Sequence, residues 1–180
     1  MVYAVSKGHS GSIKHVKHRY WTNKYDKFFK KYSKHYFGPA FSWHWFKAQA
    51  IAESNLRKNA KSKVGAIGIM QILPSTYKDI VKKNPGLGNI TEPKWNIAAG
   101  IFYDRQIYKK WLKKNIPENE RLDFTFASYK AGFTKVLRAY NKVSKKEETP
   151  DSVYDWVMVK KHTPPATRAY VHRIKQLMKY

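Results

Sequence analysis

The amino-acid sequence predicts a mainly α protein, folded as a single helical domain. Apolar residues recur three and four positions apart in several separate stretches, which is the spacing of one face of a helix. The period-two alternation that would indicate strands is nearly absent. The length of 180 residues suits one domain with a sizeable core.

The predicted elements follow in chain order. Residues 1–35 form a basic N-terminal segment, with a loose tail and then a short amphipathic helix over 20–36. Gly38-Pro39 separates this segment from the main domain, 36–180. Ser42 is the expected N-cap of the next helix, and Pro74 is expected near the start of another. We expect main-domain helices over 43–55, 69–81, 95–111, 122–131, 133–143 and 166–179, with a solvated loop over 144–151.

Charge indicates the kind of partner but not the chemistry. Thirty-six Lys and Arg against twelve Asp and Glu give a net charge of +24, which favours nucleic acid, anionic lipid, lipopolysaccharide or anionic wall polymers. The absence of cysteine excludes disulfides and thiolate chemistry. No signal-peptide core and no apolar stretch of the ~20 residues needed to span a membrane is present, so we expect synthesis in the cytoplasm without a signal peptide.

Glu53 is the acidic residue whose surroundings differ from those of the others. It follows an almost uncharged stretch, 48–52, whereas the other acids lie in polar loops and turns or among lysines and arginines. Helical spacing places it on one face with Trp45, Phe46 and Gln49, near a helix C-terminus where the macrodipole disfavours a carboxylate. Dipole and burial would both raise its pKa, as a general acid requires. The simpler interpretation is a carboxylate in water at a frayed helix end.

Three short motifs around and after Glu53 are similar to those of one enzyme family. They are Glu53-Ser54, Gly68-Ile69-Met70-Gln71 and Ser128-Tyr129-Lys130-Ala131-Gly132. In this order they resemble the Glu-Ser, Gly-Leu-Met-Gln and Ala-Tyr-Asn-Ala-Gly motifs of the soluble lytic transglycosylases (SLT) and the goose-type lysozymes. Two further stretches, 96–100 and 167–174, strengthen the resemblance, which covers roughly residues 40–180.

The resemblance implies a lysozyme-like helical domain with a substrate cleft, in which Glu53 is the catalytic acid/base. It implies that the substrate-binding residues are Ser54, Gly68, Met70, Gln71, Tyr129, Lys130 and Tyr170. Two residues depart from the family pattern. Lys130 replaces an Asn, and Ala166 replaces the Glu before Thr-Arg, so subsite preference is affected more than catalysis.

Each of these residue types has a physical use in such a site. Gly68 would let the backbone approach the substrate, and Met70 would form an adaptable apolar wall. Gln71 can donate to and accept from an acetamido group, and the hydroxyl of Tyr129 would bond near the Glu53 carboxylate. The alternatives are core filling for Met70 and a buried, satisfied aromatic for Tyr129.

The implied reaction is cleavage of the β-1,4 bond between N-acetylmuramic acid and N-acetylglucosamine in bacterial peptidoglycan. Glu53 would protonate the glycosidic oxygen and then deprotonate the muramyl 6-hydroxyl, which closes a 1,6-anhydro ring with help from the substrate acetamido group. Glycosidases normally use two carboxylates, and no second acid here shares the context of Glu53. The resemblance to the lytic transglycosylases implies a single-carboxylate mechanism. Attack by water instead would make the protein a lysozyme, and the sequence leaves both open.

The remaining expectations concern partners and setting. We expect a monomer that acts on peptidoglycan in the wall or periplasm, as a bacteriophage lysin or a virion-associated enzyme. Segment 1–35 would attach it by charge to outer membrane or wall polymers, or would simply be a solubilising face. No specific nucleic acid is expected, although a non-enzymatic basic protein that binds nucleic acid or anionic surfaces is the alternative. His15 and His18 lack acidic company, so no metal or cofactor is predicted.

Overall fold

The computed structural model describes residues 18–145 and 152–179. Most of the predicted basic tail, including His15, and most of the predicted loop 144–151 lie outside the described residues. Within the described ranges the chain forms α-helices, one 3₁₀ helix and isolated β-bridges, without a strand. The helices are α1 (Asp26–Phe37), α2 (His44–Ser54), α3 (Pro74–Lys83), α4 (Pro93–Trp111), a 3₁₀ turn (Glu118–Glu120), α5 (Arg121–Ala131), α6 (Phe133–Ser144), α7 (Trp156–Lys160) and α8 (Pro165–Leu177). The predicted mainly α class is confirmed.

Three details of the predicted elements are wrong. The helix expected over 20–36 begins only at Asp26. Ser42 is not the N-cap of α2: that position belongs to Trp43, and the Ser42 hydroxyl instead lies 3.1 Å from His44 Nδ1. The helix expected over 69–81 begins only at Pro74, because Leu73 before it is extended, with ψ of 140°. A residue that precedes proline is driven out of the α region by steric conflict with the ring. The short helix α7, whose N-cap Asp155 accepts a hydrogen bond from the Met158 N–H, was not predicted.

The described residues fall into two compact units. Unit 1 contains the residues up to Tyr103 and those from Ile174, and unit 2 contains Asp104–Arg173. Glu53, Ser54, Gly68, Met70 and Gln71 belong to unit 1, whereas Tyr129, Lys130 and Tyr170 belong to unit 2. The predicted division of the chain at residue 35 stays a prediction.

In unit 1, the N-terminal part of the chain packs on α2 through a buried lysine. Lys47 is 1% exposed, and its ammonium lies 4.9 Å from the ring centroid of Trp21 and 5.4 Å from that of Trp43. His44 stacks on both indoles. Burial, and next the positive charge of Lys47, lower the pKa of His44, although Asp26 opposes the shift. An ionic and aromatic cluster therefore joins α1 and the residues before it to the start of α2.

The core of unit 2 is aromatic. Trp111 is fully buried, and its ring lies 5.1 Å from that of Phe124 and 5.9 Å from that of Tyr140. Its indole N–H donates to the Ser128 hydroxyl over 3.0 Å, which satisfies a polar group that would otherwise be costly to bury. This contact holds the last turn of α5, one residue before Tyr129.

The described residues include neither a membrane-spanning helix nor a cluster of metal ligands. No helix in those ranges combines the length and apolar character that crossing a bilayer requires. No group of three or more His, Asp or Glu residues in the same ranges is arranged to hold a metal ion.

Candidate functional site

The site is built around the last turn of α2, where Glu53 lies. Its side chain is half-buried, on a helix whose positions from Phe46 to Ile51 are buried. Phe46 and Gln49, which were expected to share its face, are fully buried, and Trp45 is half-buried. Glu53 therefore projects from the edge of a packed core and not from a free helix end.

The chain leaves α2 through a sharp reversal directly after Glu53 and Ser54. Asn55 and Leu56 have φ of 54° and 60°, and the Asn55 N–H closes the helix by donating to the Ile51 carbonyl over 2.9 Å. Two consecutive non-glycine residues in the left-handed region are uncommon, and such strain persists only where the surroundings enforce it. Leu56 is 8% exposed, so burial of its side chain helps to hold the turn.

Ser54 joins the first predicted motif to the second. Its hydroxyl is buried, with the residue 3% exposed, and donates to the Ile69 carbonyl over 2.8 Å. This bond bridges 15 positions of the chain and fixes the end of α2 against the Gly-Ile-Met-Gln segment. The geometry gives Ser54 a positioning role, and its contact with substrate stays a prediction.

The segment that carries the second motif is a compact, irregular loop. Isolated antiparallel bridges pair Ile67 with Lys61 and with Ile72. Gly68 and Gln71 have positive φ, of 78° and 49°. These backbone conformations are incompatible with the helix that the apolar pattern suggested from residue 69.

Glycine is required at position 68 for two reasons. Its φ of 78° favours glycine, and a Cβ there would lie 2.4 Å from the side-chain amide nitrogen of Asn96. Asn96 is 1% exposed, and its Oδ1 accepts from the Met70 N–H over 2.7 Å. Its Nδ2 donates to the carbonyls of Ile67 and Ile90, each over 3.0 Å. The conformation and the contact with Asn96 are thus structural reasons for glycine at position 68. The close approach of the Gly68 backbone to substrate stays a prediction.

Asn96 was not among the predicted site residues. It lies in the stretch 96–100, which resembles the family, but a polar residue at the start of an apolar helix carries no local signal of its function. Its role arises from contacts with residues 26 and 29 positions away. The bonds to Met70 and Ile67 position the second motif, and the bond to Ile90 ties Asn96 to the loop before α4.

Met70 is completely buried in this structure. Its side chain occupies the space that Gly100 leaves on α4, where an added Cβ would come within 2.7 Å. Packing of this kind anchors the motif in the core of unit 1. The predicted role of Met70 as a wall for substrate stays a prediction.

Gln71 is half-buried, and hydrogen bonds define its orientation. Its Nε2 donates to the carbonyls of Gly68, over 2.9 Å, and Ala60, over 3.2 Å. Since carbonyls only accept, the NH₂ group must face them. Both donors are thus used inside the protein, which leaves the side-chain carbonyl as the group suited to an incoming N–H. The geometry therefore favours acceptance of a hydrogen bond from an acetamido group, and not the combined donation and acceptance that the sequence suggested.

The three predicted residues of unit 2 lie at the end of α5 and within α8. Tyr129 is half-buried, and Lys130 is exposed. The Lys130 ammonium lies 5.1 Å from the ring centroid of Tyr170, which is 6% exposed. Lys130 and Tyr170 are thus brought together, and Ala166 is exposed in the first turn of α8.

Unit 1 contains three carboxylates besides Glu53. Asp26 is paired with Lys47 at 2.6 Å, Asp79 is paired with Lys82 at 3.8 Å on a solvent-exposed part of α3, and Glu92 is exposed. Neither masked stretch of this unit contains an acid. Within unit 1, Glu53 is therefore the acidic side chain next to the motif segment.

Comparisons with known proteins match this chain to lytic transglycosylases. The family model described as "Transglycosylase SLT domain" matches residues 32–152. Membrane-bound lytic murein transglycosylase F from each of two strains of Vibrio vulnificus, YJ016 and CMCP6, is 29% identical over 159 residues, which is 87% of this chain. The chain spans 28% of the length of these relatives.

Solved structures show the same fold. The 70 kDa soluble lytic transglycosylase of Escherichia coli matches with a TM-score of 0.67 and 27% identity, over 87% of this chain and 24% of that one. A complex of the 70-kDa soluble lytic transglycosylase with bulgecin A matches with a TM-score of 0.69 and 26% identity, over 91% and 24%. An inactive mutant of the lytic transglycosylase Slt from Pseudomonas aeruginosa, 20% identical with a TM-score of 0.68 over 87% and 23%, supports the fold alone.

Proposed function

Since this chain belongs to the SLT transglycosylase family, we propose that it is a peptidoglycan lytic transglycosylase with Glu53 as its general acid/base. The observation that carries the proposal is the bond from the Ser54 hydroxyl to the Ile69 carbonyl, which joins the Glu-Ser and Gly-Ile-Met-Gln motifs at a half-buried carboxyl group. A carboxyl that is partly withdrawn from water and held on a rigid element suits proton transfer to a bridging oxygen.

The proposed reaction cleaves the β-1,4 bond between N-acetylmuramic acid and N-acetylglucosamine in two steps. First, the Glu53 carboxyl gives its proton to the glycosidic oxygen as the bond to the muramyl C1 breaks, and the substrate acetamido group stabilises the cationic centre. Second, the Glu53 carboxylate takes the proton of the muramyl 6-hydroxyl while that oxygen bonds to C1. The product is a 1,6-anhydromuramyl end, no water is consumed, and the carboxyl group regains its proton.

Other residues would hold the substrate around that centre. The side-chain carbonyl of Gln71 would accept a hydrogen bond from an acetamido N–H, since its NH₂ group is used internally. Ser54 and Asn96 position the segment, whereas Gly68, Met70, Tyr129, Lys130 and Tyr170 stay predicted substrate contacts. A carboxylate pair across the bond is not part of the proposal, because the other acids of unit 1 are ion-paired or exposed.

Mass spectrometry of muropeptides released from purified peptidoglycan tests the proposal. Anhydromuramyl ends, one water lighter than reducing ends, are the expected products. Reducing ends would establish the lysozyme-type hydrolase instead. Failure to release any muropeptide, with salt-sensitive binding to DNA, would favour the non-enzymatic basic protein.

A ligand offers an independent test. Bulgecin A forms a complex with a structural relative of this chain, and we expect it to bind here and to raise the melting temperature further as its concentration increases. The setting as a bacteriophage lysin or virion-associated enzyme, the monomeric state and charge-driven attachment by segment 1–35 stay predictions.

A further inference from the structure

A short loop directly after the candidate site carries concentrated positive charge. We call residues 57–64 the basic loop. Its four cationic side chains, Arg57, Lys58, Lys61 and Lys63, are all exposed. The sequence contains no acidic residue between Glu53 and Asp79. The ion pairs of Lys47 with Asp26 and of Lys82 with Asp79 do not involve this loop.

The backbone of the basic loop is tied to the residues of the site. The Ala60 carbonyl accepts from the Gly68 N–H over 2.8 Å and from Gln71 Nε2 over 3.2 Å. Arg57 Nε donates to the Ser54 carbonyl over 3.0 Å. The charges are therefore presented from a framework shared with Gln71 and Ser54, and binding there would cost little additional ordering of the chain.

A second set of bonds closes the far end of the loop. The Ser62 N–H donates to the Ala66 carbonyl, and the Ala66 N–H donates back to the Ser62 hydroxyl, each over 3.0 Å. Lys61 and Lys63, on either side of Ser62, are consequently held on a defined turn. The neighbouring Val64 is 78% exposed.

The composition of this region distinguishes among anionic partners. Residues 54–76 contain no Phe, Tyr or Trp, so this segment itself offers no aromatic platform on which single-stranded nucleic acids could stack. Val64 is the one large apolar side chain of the loop that is strongly exposed, which is little for insertion into a lipid surface. Exposed cationic groups next to the proposed glycan-cleaving site fit carboxylates attached to the glycan.

We propose that the basic loop binds carboxylates carried by the muramyl residues of the substrate, next to the cleaved bond. Peptides attached to the lactyl group provide such carboxylates, and so does the lactyl group itself where the peptide has been removed. The proposal rests on the proposed function and deepens it: the preferred substrate is an anionic glycan strand, and the loop lysines contribute to KM and not to the chemical step.

The test compares soluble, uncrosslinked peptidoglycan strands with the same strands after their carboxylates are converted to amides. The Lys61→Gln/Lys63→Gln variant is compared with wild type and with a matched control, Lys78→Gln/Lys142→Gln, whose lysines are exposed elsewhere. Because an exposed charge pair contributes little binding energy, the loop variant should raise KM on untreated strands by only about two- to tenfold relative to wild type, with unchanged kcat. On amidated strands, the loop variant and wild type should have the same KM. The control should match wild type on both substrates.

Several outcomes would overturn the proposal. They are an equal rise of KM on amidated strands, no rise on untreated strands, or an effect of the same size in the control. A loss of binding to DNA or to anionic vesicles without a loss on untreated strands would assign the loop to those partners instead. Peptide-free strands, which keep only the lactyl carboxylate, identify which carboxylate is bound. If the loop variant raises KM on these strands as much as on untreated strands, the loop binds the lactyl carboxylate. If KM does not rise, the loop binds carboxylates of the peptide.

Binding of the Glu53→Gln chain to the same strands separates this proposal from the proposed function. If wild type cleaves nothing, the enzymatic proposal fails. Carboxylate recognition would still be supported if the Glu53→Gln chain binds amidated strands more weakly than untreated strands. The loop substitutions, added to Glu53→Gln, should also weaken binding to untreated strands. Binding that is insensitive to both changes would refute it.

Discussion

The ammonium of Lys47 lies 2.6 Å from the carboxylate of Asp26, although the Lys47 side chain is only 2% exposed. The pair joins the first residue of α1 to the first turn of α2, the helix that ends with Glu53 and Ser54. Removal of the carboxylate would leave a buried charge without its counterion, which is far more costly than losing a surface pair.

The first prediction therefore concerns Asp26→Asn. We expect it to reduce the free energy of unfolding by about 3 kcal/mol, measured by urea denaturation. The added substitution Lys47→Met should restore most of the loss, because no buried charge then remains. Asp79→Asn, in the exposed pair with Lys82, is the control and should change stability by less than about 0.5 kcal/mol. Equal losses for Asp26→Asn and Asp79→Asn would contradict the role of burial.

The second prediction concerns the candidate acid. Glu53→Gln keeps the size of the side chain but cannot supply or take the proton, so turnover of peptidoglycan should fall by at least about 100-fold. Glu92→Gln removes an exposed carboxylate of the same unit and should retain full activity. Release of muropeptides measures both variants, and sedimentation with insoluble peptidoglycan measures binding. A Glu53→Gln protein that still digests the wall would disprove the assignment.

The third prediction compares two glycines with similar backbone conformations. Gly65 and Gly68 have φ of 84° and 78°, but a Cβ at 65 meets nothing within 4 Å, whereas one at 68 strikes the Asn96 amide. Alanine at either position should cost about 1–2 kcal/mol for the left-handed conformation. Gly68→Ala should cost more, because Asn96 must also give up hydrogen bonds to the motif, each of about 1 kcal/mol. Thermal unfolding of both variants gives the difference, and its absence would argue against the anchoring role of Asn96.

The fourth prediction is a pH dependence of stability. The pKa of His44 is lowered by burial and by Lys47, so below its ordinary value of 6.5 the unfolded chain binds a proton that the folded chain resists. Stability should therefore fall as the pH decreases from about 7.5 through 6.5, until the folded-state pKa is reached. His44→Phe retains a ring to stack on Trp21 and Trp43 but cannot titrate, so its stability should fall less over the same interval. Urea denaturation at several pH values measures the difference between the two proteins, and parallel curves would exclude His44 as the cause.

Local pattern was sufficient for most of the helices. The helices predicted over 95–111, 122–131 and 133–143 agree with α4, α5 and α6 to within two residues at each end, and the break at Gly132 was predicted. Helical spacing and turn residues act over a few positions, so they can be recognised without knowledge of the fold. The helix predicted from residue 69 was wrong over 69–73 because contacts distant in sequence decide the backbone there. The apolar residues Ile69 and Met70 suggested a helix, but hydrogen bonds with Asn96 and Ala60 impose an irregular backbone.

The candidate site divides in the same way. The uncharged stretch before Glu53 and the order of the motifs identified the acid, the segment and the residue types around them. The sequence did not predict that Ser54 and Asn96 would serve as anchors or that the donors of Gln71 would be used internally. It also did not predict that the exposed lysines of the basic loop would share a framework with the site.

What the sequence alone determined is thus the helical class, the family resemblance and the identity of the one acid that stands out, because each is written in neighbouring residues or in motif order. What only the tertiary structure decided is how those motifs are held: the Ser54 bond to Ile69 spans 15 positions, and the Asn96 bond to Met70 spans 26. Hydrogen bonds of this kind depend on which backbone groups the packed core brings together and leaves without a helical partner. No periodicity along the chain records that information.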